Sequence, residues 1–168
     1  MAEKTFQFFR FGDAPLLEET DLQPITSEFT PFEMEGWARM MAAGYADGQE
    51  ARVLVQLPGL TLFHIWNKRG YPTPPHTHDV DCLYFVVAGT VSVGRETLGP
   101  GDCFFIPADT TYTYEVGPEG AEVLEIRRAD NWDLKLLAKS AAYFEKAVRA
   151  ITDNAEAWKD AERPSRNH

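Results

Sequence analysis

Three hydrophobic patterns follow one another along the chain. The run Thr30-Pro31-Phe32-Glu33 carries a helix start. The threonine hydroxyl caps, the proline suits the first helical position, and the glutamate three residues on completes a capping box. Phe29 and Met34 stand where a hydrophobic staple closes. Met34, Trp37, Met41 and Tyr45 recur at helical spacing, which predicts one apolar face that ends near Gly44 and Asp47-Gly48. From about residue 51 the pattern becomes that of strands. Residues 52–57, 60–68, 82–87, 103–106, 111–116 and 121–127 are short β-rich runs, divided by Pro58-Gly59, Ala88-Gly89 and Gly94-Arg95. Many short strands with regular turns predict a sandwich or barrel. Finally, Leu134, Leu137, Ala141, Phe144, Val148 and Ile151 alternate steps of three and four, the stripe of an amphipathic helix with Asp130 as its cap. A second short helix is expected from Asp153, carrying Trp158, and residues 164–168 are expected to fray. The chain thus divides into an arm and helix over 1–50, a β unit over 51–128 and a helical extension over 129–168, all one structural domain.

Composition narrows the class. Of 168 residues, 44% are hydrophobic and 25% charged, enough to bury a core without staples. The net charge of -10 repels phosphate backbones and anionic surfaces, so nucleic acid and membrane are not expected partners. The opening Met1-Ala-Glu-Lys-Thr lacks a basic stretch followed by an apolar one, and cytoplasmic residence is expected. Two cysteines, Cys82 and Cys103, do not make a disulfide framework and are read as two buried, reduced thiols, with a bridge between their strands the alternative.

The chemistry concentrates in Gly70-Tyr-Pro-Thr-Pro-Pro-His76-Thr-His78. Two histidines one residue apart on a strand share a face, so their imidazoles can bind one metal ion. The prolines stiffen the approach, each fixing its own backbone angle. By strand parity Tyr84 shares the face of Cys82, and Tyr114 that of Tyr112. From the preceding strand either His64 and Trp66 or Phe63 and Ile65 face inward. Lys68, Arg69 and Arg95 are rim candidates for a carboxylate.

The spacing Gly70, five residues, His76-x-His78, three residues, Cys82, six residues, Gly89 resembles the first motif of the cupin superfamily. Gly101-Asp102 followed by Ile106-Pro107 resembles the second, and the resemblance spans about residues 53 to 127. It implies a mainly β fold: a cupin-type jelly-roll barrel, here with an N-terminal arm and helix and C-terminal helices. It also implies a metal and a ligand in the barrel mouth. The sequence departs from the family where Cys82 replaces a ligating glutamate, Tyr112 a third histidine, Asp109 a glycine and Val116 an asparagine. The implied metal set is therefore His76, His78, Cys82 and Tyr112, with Asp79 and Asp81 in reserve and iron, zinc or manganese as the ion. His76, His78 and Tyr112 are the catalytic candidates, and Tyr84, Tyr114, His64 and Trp66 the candidates for the pocket wall.

Two functions fit these residues. One is a metal-dependent small cupin enzyme that oxygenates, isomerises or eliminates from a small organic molecule. The other is a non-catalytic cupin binding a sugar or other small metabolite. The apolar faces of the arm and helices make a symmetric homodimer the expected assembly.

Overall fold

A computed structural model describes residues 6–167. The opening Met1–Thr5 segment read for an export signal, and His168, lie outside the described residues. The helix start at Thr30 is present. α1 spans Pro31–Ala42; the Thr30 hydroxyl accepts from the Glu33 amide, and the Glu33 carboxylate accepts from the Thr30 amide at 2.7 Å. The predicted apolar face is real but does not bury in the core. Met40 is the methionine that packs inside, whereas Trp37, Met41 and Tyr45 line a cavity and Met34 is exposed.

The strands are β1 (Gln49–Leu57), β2 (Leu60–Asn67), β3 (His76–Thr77), β4 (Cys82–Val93), β5 (Glu96–Leu98), β6 (Cys103–Ile106), β7 (Glu115–Arg127) and β8 (Lys135–Leu136). The main sheet runs β1-β2-β7-β4-β5, all antiparallel, with β6 pairing the start of β4 on the edge that β5 takes further along. β3 and β8 form a second, two-stranded sheet. It is widened by the backbone pair His76–Tyr112 and by Ile25 of the arm beside Leu134. Residues of both sheets line one cavity, as in a jelly-roll sandwich.

Three local readings are corrected. Ala88-Gly89 does not end a strand. β4 runs through it, and the register slips on both sides because Gly89 takes a left-handed φ of 70° in a bulge. Leu134 and Leu137 do not begin a helix. The segment is extended, Lys135–Leu136 pairs with His76–Thr77, and the Asp130 carboxylate accepts from the Gly59 amide at 2.6 Å instead of capping. The helix starts later, as α2 over Ala141–Lys159, capped by Ser140 and continuous through Asp153 to Trp158. Nor does the tail fray. Pro164–Asn167 forms a turn of 3₁₀-helix, and the Ser165 amide donates to Glu122 on the main sheet at 2.8 Å.

α1 and α2 pack together outside the sandwich, and Met40, Phe144, Ile151 and Trp158 bury there in a second apolar cluster. Among the described residues no helix is long and apolar enough to cross a membrane.

Candidate functional site

The cavity between the two sheets has a volume of about 400 Å³. β2 contributes Phe63 and Ile65, β4 Tyr84, and β7 Glu125; the opposite wall carries His76, His78, Leu134 and Leu136. Trp37, Met41 and Tyr45 of α1 and its exit, together with Leu17, Ile25 and Phe29 of the arm, form the roof.

Both histidines of the pair are buried, and their ring centroids lie 5.0 Å apart. His76 Nδ1 donates to the Pro74 carbonyl at 2.7 Å, and His78 Nδ1 donates to the Asp133 carbonyl at 2.5 Å. A carbonyl only accepts, so the proton of each neutral ring sits on Nδ1 and the lone pair on Nε2. The two Asp133 contacts that hold this arrangement are reciprocal. The Asp79 amide donates to the Asp133 carboxylate, and the Asp133 amide donates to the Asp79 carboxylate, each at 2.9 Å. Asp79 is thus a brace for His78, and Asp81 accepts from the Ala108 amide at 2.9 Å. Asp109 keeps the backbone shape that a glycine would have there, with φ 58°, and its amide donates to the His78 carbonyl at 2.7 Å. Aspartate is among the few residues that tolerate that region.

Burial pushes His76 down to about 4 and His78 down to about 3, with the Arg127 charge adding to both. In the unfolded chain each ring takes a proton near 6.5. The folded state resists that proton, so stability falls as the pH drops below 6.5 and levels off only below the folded values. Chelator-treated protein is therefore expected to lose about 2 kcal/mol per imidazole between pH 7.5 and pH 5. Urea unfolding at the two pH values measures it. A His76→Gln, His78→Gln variant should show a flatter dependence, and an unchanged slope would refute the cause.

Tyr112, at the position of the family's third histidine, packs tilted against His76 with ring centroids 4.2 Å apart and shares a hydrogen bond with the Tyr84 hydroxyl. Burial, reinforced by Glu125, raises the pKa of both phenols, so they are neutral at pH 7. Cys82 Sγ donates to Glu125 Oε2 at 3.7 Å, and burial with the same carboxylate raises its thiol pKa. The structure thus groups His76, His78 and Tyr112, while Cys82 turns to Glu125. Both cysteines are free; Cys82 is buried as expected, but Cys103 is exposed. Among the described residues no three His, Cys, Asp or Glu side chains group to hold a metal ion. Tyr84 and Tyr114 line the cavity as expected.

His64 and Trp66 do not reach the cavity, because strand parity selects Phe63 and Ile65. The opposite face of β2 is covered by the chain's ends. His64 Nε2 meets Glu122 Oε2 at 2.8 Å beside Phe11, and Trp66 lies under Arg163. Lys68 donates to the Trp158 carbonyl and Arg69 to Asn154, away from the wall.

The residue that sequence reading missed is Glu125, with its partner Arg127. Both are buried, and Arg127 Nη2 donates to Glu125 Oε2 at 2.9 Å. Arg127 packs beside the stacked Phe63 and Trp132 rings, its carbon centre 5.7 and 5.0 Å from the two. Burial raises the Glu125 pKa against the opposing pull of Arg127. The signal was present: Ala121 and Val123 mark the inward parity of β7, and Glu125 and Arg127 continue it.

No family model matches the sequence, and no curated protein matches it. Among solved structures, the polyketide cyclase RemF from Streptomyces resistomycificus aligns over 88% of this chain and 99% of its own, at 15% identity and a TM-score of 0.56. An RmlC-like cupin from Shewanella frigidimarina aligns over 74% and 90%, at 19% identity and 0.46. The chain has the cupin fold. KdgF from Halomonas also aligns, over 74% of this chain and 94% of its own, at 19% identity and 0.49. Within this cupin fold a metal ion is the group the resemblance implies. Two neutral imidazoles anchored through Nδ1 fit it as a pair of ligands, the way metal-binding histidines are held. Solvent or a bound molecule would have to complete the shell of such an ion.

Proposed function

We propose that this chain is a small cupin enzyme that acts on a small organic molecule in the cavity, with a divalent ion in exchangeable association with His76 and His78. The observation that supports this reading is the pair of Nε2 lone pairs, fixed on one side of a partly open and mostly apolar cavity. Such an ion polarises a substrate oxygen. The chain's own groups do the rest. The aromatic wall takes up the organic skeleton and excludes water. Glu125, bonded through Oε2 to Arg127 and Cys82, is the carboxyl group of the wall and can transfer a proton. Tyr112, neutral and tied to Tyr84, packs against His76 and donates or relays a proton; it does not start as a base.

Calorimetric titration of untagged protein with Zn²⁺ or Fe²⁺ tests the reading. With two protein ligands, the expected result is one equivalent bound in the micromolar range, removed by chelator and lost in the His76→Ala, His78→Ala variant. Binding no stronger in the wild type than in that variant would overturn the metal part. The cavity would then serve a non-catalytic binder, a reading that the phenol at the third ligand position favours.

A further inference from the structure

The charges around the cavity are already matched. Glu125 is paired with Arg127, and no lysine or arginine lines the wall among the described residues. The guanidinium's remaining nitrogens, Nε and Nη1, are sealed from solvent beside Phe63 and Trp132, so they are not available to a ligand. Without a bound ion, a charged ligand would lose its hydration here and find no free counter-charge.

What the wall does offer is hydrogen-bond acceptors. His76 and His78 each present Nε2, and Glu125 adds a carboxylate to the wall. The surrounding surface is aromatic, with Trp37, Phe63, Tyr84 and Tyr114 on the wall. Flat rings of these kinds stack with flat rings.

We infer that the ion-free cavity takes an uncharged, flat aromatic molecule carrying at least two hydroxyl groups, which donate to the imidazole pair and to Glu125. The inference rests on the reading of the cavity as the substrate site, and its test separates the two.

Calorimetry on chelator-dialysed protein uses three probes: a dihydroxynaphthalene, its dimethyl ether and naphthoate. The diol is expected to bind at least tenfold more tightly than either of the others. His78→Ala should weaken the diol about tenfold and leave the ether unchanged, because only the diol uses the acceptor. Should that variant not fold, the wild-type ranking decides alone. Naphthoate or the ether binding as tightly as the diol would overturn this inference and leave the cavity as the site. Binding of none of the three would overturn the site reading with it.

Discussion

Glu125→Ala is expected to cost about 3–5 kcal/mol, the cost of leaving a buried charge without its partner. Arg127 has no exposed surface, and its only hydrogen bond to a side chain among the described residues is the one at 2.9 Å from Glu125. The stacked rings of Phe63 and Trp132 lie beside it, but they do not replace a carboxylate. Domains of this size have only about 5–15 kcal/mol in total, so the variant should lie near the edge of folding. Replacing both residues, as Glu125→Met with Arg127→Met, removes the orphan charge and should recover much of the loss. Urea denaturation of the single and double variants measures the difference. A single variant within 1 kcal/mol of the wild type would show that the pair does not carry the barrel interior.

Gly89→Ala should be comparably damaging for a steric reason. A Cβ at Gly89 would lie 2.1 Å from the Gly120 carbonyl oxygen, on backbone that has no side chain to move aside. The left-handed φ of 70° adds the usual penalty for an L residue. Gly94 isolates the clash, since it shares the sign of φ, at 62°, but has nothing within 4 Å. We expect about 1–2 kcal/mol for Gly94→Ala and at least about 3 kcal/mol for Gly89→Ala. Equal melting points for the two variants would contradict the close approach of β4 and β7 at this bulge.

The sequence made legible what is local. The Thr30 cap needs only four consecutive residues, and the His76-x-His78 parity only three, so both could be read directly. Leu134 and Leu137 failed because a spacing of three suits a helix but does not create one. Their backbone is taken by β3 and the arm, a pairing set by residues far away in sequence. Ala88-Gly89 misled for a related reason, since the same dipeptide makes a turn or a bulge according to what pairs beside it. Glu125 and Arg127 were passed over because charge alternation suggests a solvated face. Only the neighbouring strands show that this face is the inside.

The site draws on parts with different mechanical character. The groups with chemistry, His76, His78, Tyr84 and Glu125, come from paired strands and their immediate flanks. The roof comes from the arm and from α1 with its exit. On the proposed reading, exchanging Leu17, Ile25, Phe29 or Met41 would change which molecules fit and leave the histidine pair in place.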